Sequence, residues 1–109
     1  MNAAWISLLV AGLFEVGWPI GLKNGWTDDG AKPLWILFAG ACLLASGALL
    51  LYAQRSIPIG TAYAVWTGIG AAGTAALGII LFSESTNPLR LASIALIIAG
   101  IVGLKLTTD

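Results

Sequence analysis

The chain has 109 residues, of which 59% are hydrophobic and 9% are charged, and its formal net charge is zero. Its mean hydropathy is +0.95, and a soluble domain cannot hide that much apolar surface. A helix needs about 20 apolar residues to cross the hydrocarbon core, so this length allows at most about four or five crossings. The composition predicts one all-α integral membrane domain over residues 1–109.

Several functional classes are disfavoured by residue content. The chain has no histidine and a single cysteine, Cys42, in an apolar run where we expect it to pack as a small hydrophobe. We therefore expect no metal site and no cofactor. The basic residues form no run, so we expect no nucleic acid partner. The sequence offers no nucleophile paired with a base, so we do not expect an enzyme.

Four apolar segments are separated by short polar connections. The first segment is long enough to span a membrane, and we expect it to be a retained helix rather than a signal peptide. Trp26 and Trp35 flank the first polar connection, as expected for indole rings at the membrane interface. The pattern predicts transmembrane helices over residues 3–22, 33–53, 58–82 and 89–106.

The positive charges near the helix ends are divided almost evenly between the two sides. Arg55 and Lys105 lie on one predicted side, and Lys23, Lys32 and Arg90 lie on the other. An excess this small does not fix an orientation, because cytoplasmic retention depends on a clear Lys and Arg bias. The sequence leaves two interpretations open: insertion in both orientations, or one residue such as Arg90 that decides the orientation.

Glu15 is the most informative residue, because it lies near the middle of the first span while every other acid lies in a loop or at the terminus. A carboxylate at that depth costs about 2.5 to 3.5 kcal/mol on insertion scales, so we expect it to face the protein interior or a water-filled cavity. Low dielectric disfavours the charged form, which suits exchange of protons and cations. The alternative is a structural glutamate fixed to a polar partner.

Four further side chains are candidates for the same cavity. Trp18 follows Glu15 by three residues and shares its helix face, and Tyr63 and Trp66 repeat this spacing in the third span. In the second span, Ser46 is the only clearly polar residue that lies well inside the membrane-crossing segment. It hydrogen-bonds either a buried carboxylate or ligand, or the carbonyl four residues earlier in its own helix. For the aromatic residues, the alternative is ordinary packing or lipid contact.

Small residues indicate where helices approach one another. A glycine cluster in the third span, which includes Gly68 and Gly70, lowers helix propensity and predicts that this helix bends between two conformations. In the last span, small residues recur every four positions and predict a dimerisation stripe, with packing inside the monomer as the alternative: Ala95, Ala99 and Gly103.

Two stretches resemble the small multidrug resistance family: residues 11–18 (AGLFEVGW) and 58–71 (PIGTAYAVWTGIGA). Residues 84–85 (ES), 87–88 (NP), 90–93 (RLAS) and 100–106 (GIVGLKL) are similar to its guanidinium-exporter subtype. The resemblance covers essentially the whole chain.

The resemblance implies a proton-coupled antiporter of the bacterial inner membrane that exports guanidinium by alternating access. It also implies an antiparallel, dual-topology homodimer of four-helix subunits. Glu15 would bind both the proton and the substrate, and Trp18, Ser46, Tyr63 and Trp66 would surround it. A tryptophan at position 18 separates this subtype from the quaternary-ammonium subtype.

The first span departs from the family pattern, since Gly17, Pro19 and Gly21 stand where ordinary helix formers are expected. Pro19 cannot donate to the carbonyl four residues earlier, so we expect a kink there. The first connection is also longer, with Asp28 and Asp29 added. These differences leave guanylurea and other substituted guanidinium compounds open as substrates, and a paralogous partner open in place of the homodimer.

Three other functions remain as alternatives to guanidinium export. The first is export of quaternary-ammonium or other hydrophobic cations. The second is a non-transporting subunit of a heterodimeric assembly, in which Glu15 is a structural acid. A passive channel is the weakest alternative, because a single titratable acid suits exchange better than a pore.

Overall fold

The computed structural model of the protein describes residues 2–108. Within this range the chain forms four helices that are long and apolar enough to span a membrane, which confirms the predicted fold class. Their bounds differ from the predicted ones by no more than one residue, except at the end of the first helix. The helices are α1 (Ala3–Gly25), α2 (Pro33–Ala53), α3 (Ile59–Phe82) and α4 (Pro88–Thr107).

The first helix is longer than the sequence predicted, because it continues to Gly25 instead of ending at residue 22. The sequence predicts the earlier end because Lys23 and Asn24 are polar. Lys23 remains helical, and its Nζ lies 5.1 Å from the centre of the Phe82 ring in α3. A lysine in the last turn also interacts favourably with the negative end of the helix dipole.

The connection between α1 and α2, predicted as a polar loop, contains a minimal β-hairpin. Strand β1 (Trp26–Thr27) pairs antiparallel with strand β2 (Gly30–Ala31). Gly30 has a φ of 107°, a conformation that glycine adopts without a steric penalty. Trp26 is 75% exposed, which suits an indole ring at the membrane interface.

Helix α1 is the centre of the bundle, since it packs against both α2 and α3, whereas α4 packs mainly on α3. Buried positions follow this arrangement: they are most frequent in α1, and α4 has none. Near the N-terminal end of α1, Trp5, Leu8, Ile57 and Val65 belong to an apolar core. The middle of α1 is therefore enclosed on two sides by other helices.

A row of glycines on α1 allows α2 to approach closely. A β-carbon placed at Gly17 would lie 2.6 Å from Sγ of Cys42, and one at Gly25 would lie 2.7 Å from Cγ1 of Ile36. Gly21, between them, would bring its β-carbon within 3.0 Å of α2 as well. The glycines that depart from the family pattern in the sequence thus form a packing face.

Pro19 lies inside α1, and the helix continues for six residues beyond it to Gly25. The proline therefore does not end the helix, although the carbonyl of Glu15 loses its usual intrahelical donor because proline has no N–H. The kink expected beside Glu15 stays a prediction.

The two α3 glycines predicted to permit bending lie at close contacts with other helices. A β-carbon at Gly68 would lie 2.9 Å from Cδ1 of Ile101 in α4, and one at Gly70 would lie 2.6 Å from Cγ of Glu15. Both positions therefore need a residue without a side chain. Bending of α3 at these positions stays a prediction.

The predicted dimerisation stripe lies on the open side of α4. Ala95 and Ala99 are exposed, and a β-carbon at Gly103 would meet no atom within 4 Å in the described part of the chain. The stripe is thus free in the single subunit, as a contact with a second subunit requires. The dimer itself stays a prediction.

We predict that Gly12→Ala destabilises the protein by about 1 to 3 kcal/mol, the usual range for overpacking. Its β-carbon would lie 2.7 Å from both Cβ and Cγ2 of Ile69, a β-branched side chain with little rotamer freedom. Thermal unfolding of the detergent-purified protein measures the change. Gly47→Ala is the matched control, because no atom lies within 4 Å of its β-carbon. Equal melting temperatures for both variants and the wild type would contradict a tight contact between α1 and α3.

Candidate functional site

Glu15 is the thirteenth of the 23 residues of α1 and lies at its middle. The residue is half-buried, and its side chain crosses toward α3 at Gly70. A β-carbon at Gly70 would lie 2.6 Å from Cγ and 3.3 Å from Cβ of Glu15. The glycine therefore provides the space into which the carboxylate extends, so these two positions form one unit of the site.

Trp18 holds the carboxylate from the same helix. Its indole Nε1 donates a hydrogen bond of 2.8 Å to Oε1 of Glu15, at the i and i+3 spacing that brings neighbouring turns of a helix together. A hydrogen bond to an ionised acceptor is stronger than one between neutral groups. The indole N–H thus fixes the direction in which the carboxylate points.

Ser46 joins three helices at one hydroxyl group. The side chain is fully buried, and its Oγ accepts a hydrogen bond of 2.7 Å from Nε1 of Trp66 in α3. Oγ lies 2.8 Å from the carbonyl oxygen of Ala11 and 3.4 Å from Oε1 of Glu15 in α1. A serine hydroxyl has one hydrogen, and the shorter distance assigns it mainly to Ala11. The bond to its own helix, considered from the sequence, is replaced by bonds to α1 and α3.

Tyr63 lies at the edge of this group. Its ring centre is 5.4 Å from that of Trp66, with 53° between the two planes, and 57% of the residue is exposed. The structure thus brings Trp18, Ser46 and Trp66 into one hydrogen-bonded network with Glu15, and places Tyr63 beside that network.

A cavity of about 520 Å³ opens on another side of Glu15, between α1 and α3. Pro19, Gly70 and Thr74 line it along its length, and it extends to the C-terminal end of α3, where Glu84 lines it as well. Thr74 and Glu84 are not among the site residues that the sequence predicts; the sequence places Glu84 in a polar connection between two spans. Glu15 is the residue that the cavity shares with the hydrogen-bonded network.

This arrangement is suited to a small cation or a proton. The carboxylate is buried deep enough in a membrane helix to be costly when it is charged and alone. The indole donor of Trp18 orients it, and aromatic rings close by favour positive charge over their faces. A compact cation that carries N–H groups satisfies both the charge and the hydrogen-bonding capacity of the carboxylate.

Comparison with known proteins identifies the family. A model described as Small Multidrug Resistance protein matches residues 3–97. The chain belongs to the small multidrug resistance family. The resemblance drawn from the sequence motifs is therefore confirmed, and this small multidrug resistance protein is a multi-pass membrane protein.

Its similarity to other members of the small multidrug resistance family extends over nearly the full length. The chain is 52% identical over 105 residues to proteins named guanidinium exporter from Escherichia coli (strain K12), Citrobacter freundii and Salmonella typhimurium. Each of these alignments covers 96% of this chain and 98% of the relative.

We predict that Ser46→Ala lowers the stability of this small multidrug resistance protein by about 1 to 3 kcal/mol, because it leaves the Trp66 N–H without its acceptor and removes the interhelical bond to the Ala11 carbonyl. Thermal unfolding in one detergent measures the loss. Ser93→Ala is the matched control: its Oγ donates to the carbonyl of Leu89 in its own helix on an exposed face, so its removal should change little. An equal effect of the two substitutions would contradict the role of Ser46 as an interhelical junction.

Proposed function

We propose that this protein exports guanidinium in exchange for protons, with Glu15 as the group that binds both. The observation that carries the proposal is a carboxylate in the middle of a membrane-crossing helix, 2.8 Å from the Trp18 N–H and open to a cavity. Relatives that are 52% identical over 105 residues are named guanidinium exporter, which supports guanidinium as the cation.

The chemistry of guanidinium matches the surroundings of Glu15. The ion is planar, so the N–H groups on its edge donate to a carboxylate while its faces lie against aromatic rings. Trp18 and Trp66 supply indole rings near the acid, and Tyr63 extends this aromatic surface. The same surface and the same donors also suit a substituted guanidinium such as guanylurea.

Exchange follows from competition for one carboxylate. A proton and a guanidinium ion each remove the penalty of an uncompensated charge in the membrane interior, and they exclude each other at Glu15. The cavity beside Glu15 extends toward the C-terminal ends of α1 and α3. We propose that this is one access state, and that a second state opens the site toward the opposite membrane surface.

We further propose an antiparallel homodimer in the bacterial inner membrane. Helix α4 has no buried residue among those described and exposes apolar side chains such as Leu96 (73%) and Val102 (51%) to a partner surface. The near-even division of Lys and Arg residues between the two sides favours insertion in both orientations.

We predict that Glu15→Gln abolishes guanidinium-dependent currents in liposomes, measured by solid-supported-membrane electrophysiology, because an amide neither binds a proton nor neutralises a cation. The matched control is Asp28→Asn, the same chemical change in the hairpin turn, which should retain the wild-type currents.

Guanidinium, guanylurea and tetramethylammonium are perfused in turn to rank the substrates. Currents with tetramethylammonium alone would favour a quaternary-ammonium exporter. Folded wild-type protein without any cation-dependent current would favour a non-transporting subunit.

We also predict that guanidinium binding strengthens as pH rises, by up to about tenfold per pH unit while one proton is displaced for each ion bound. The sign follows from competition, because a proton and a guanidinium ion exclude each other at Glu15 and a higher pH lowers the proton concentration. Intrinsic tryptophan fluorescence reports binding, because Trp18 and Trp66 lie in the site. A binding constant that is independent of pH over the range in which transport occurs would contradict proton exchange at Glu15.

A further inference from the structure

A second carboxylate folds back over α3 at the far end of the cavity. Ser83 ends α3 in the left-handed conformation, with a φ of 54°, and this turn directs the next residue back along the helix. The N–H of Glu84 donates a hydrogen bond of 3.2 Å to the carbonyl of Gly78. The Glu84 carboxylate occupies the space that a β-carbon at Gly78 would take.

The side chains of Glu15 and Glu84 each lie against a glycine of α3. Glu15 lies against Gly70 and Glu84 lies against Gly78, and the two glycines are eight residues apart on one face of α3, about 12 Å along the helix axis. Thr74 is midway between them on that face, and its Oγ1 is a buried oxygen with no hydrogen-bond partner among the described residues. All these residues line the same cavity.

The chain provides its own guanidinium group to the outer carboxylate. Arg90 donates from one guanidinium nitrogen to Oε1 of Glu84 at 2.9 Å, and from another to the carbonyl of Ser85 at 2.7 Å. The two charged side chains are 32% and 42% exposed. An ion pair with that much access to water adds little net stability and is readily exchanged.

We propose that Glu84 is a second, outer binding station for guanidinium, occupied by the Arg90 side chain when no substrate is present. An incoming guanidinium replaces Arg90 on Glu84 and then moves along α3 past the Thr74 hydroxyl to Glu15, or takes the reverse route. The inference rests on the proposed function for the identity of the cation.

The covalent tether of Arg90 gives the outer station two properties. The replaced guanidinium stays close to Glu84 and competes for it, so the substrate is held weakly there and is not trapped at the mouth of the cavity. Replacement also favours cations with N–H donors, because a cation without them does not reproduce the hydrogen bond that Arg90 makes. Tetramethylammonium should therefore compete poorly at Glu84.

The test observes Arg90 directly by NMR in lipid nanodiscs, with 15N-labelled arginine in the full-length Glu15→Gln protein. The chain has two arginines, Arg55 and Arg90, so Arg55 is an internal control for general effects of salt. Millimolar guanidinium chloride, below denaturing concentrations, should shift the Arg90 Nε signal saturably and leave Arg55 in place. Tetramethylammonium chloride at equal concentration should not do so. Glu84→Gln, added to Glu15→Gln, should abolish the response, whereas Asp29→Asn should preserve it.

Each outcome separates the outer station from the function proposed for Glu15. If the wild type transports guanidinium while Arg90 in Glu15→Gln fails to respond, or responds equally to tetramethylammonium, the station is overturned and the transport proposal stays intact. If Arg90 in Glu15→Gln responds saturably while the wild type does not transport guanidinium, the station is supported and the proposed function is contradicted. Thermal unfolding of each variant, compared with the wild type, shows that the variant is folded.

Thr74→Val tests the route between the two carboxylates, because it keeps the shape of the side chain and removes the unpaired oxygen. We expect about a tenfold loss in kcat/KM for guanidinium transport, from the loss of one hydrogen bond to a charged group, with the Arg90 response unchanged. The control is Thr107→Val, whose hydroxyl already donates to the carbonyl of Gly103 in its own helix. Wild-type transport by Thr74→Val would overturn the role of Thr74.

Discussion

One carboxylate placed inside an apolar bilayer is the constraint on which this structure depends. Each neighbouring element supplies something that Glu15 requires. Its own helix supplies the Trp18 N–H, α2 supplies the hydroxyl of Ser46, and α3 supplies the space at Gly70. If α2 and α3 separated from α1, the acid would lose the contacts with Ser46 and Gly70. Packing of the bundle and formation of the site are therefore the same physical requirement.

The helices pack closely mainly because glycines lie at their contacts, and not because large side chains interdigitate. Glycines on α1 bring the backbone of α2 near enough for Ser46 to reach the Ala11 carbonyl at 2.8 Å. In lipid there is no hydrophobic gain from burying one apolar helix against another, so close backbone approach and interhelical hydrogen bonds stabilise the contact. The departures of α1 from its family pattern, Gly17 and Gly21, strengthen this mode of packing.

The sequence predicts the features that depend on spacing within one helix. It does not predict contacts that depend on how one helix is positioned along another. Hydropathy gives four helices, and the i and i+3 spacing gives the contact of Glu15 with Trp18. The acceptor of Ser46 on α1 could not be predicted, because it requires the relative position of two helices. Glu84 was missed for another reason: its return over α3 depends on a left-handed Ser83, a position where glycine or asparagine is the usual signal.

The single hydrogen of Ser46 has a consequence for communication between the site and the fold. Oγ of Ser46 lies 2.8 Å from the Ala11 carbonyl oxygen and 3.4 Å from Oε1 of Glu15, and its one hydrogen cannot serve both acceptors fully at one time. Whatever alters the demand of Glu15 for that hydrogen also alters how firmly α2 is attached to α1. Binding of a proton or a cation to Glu15 therefore changes the strength of the contact between α2 and α1. The two acceptors differ by less than one ångström in their distance from Oγ of Ser46.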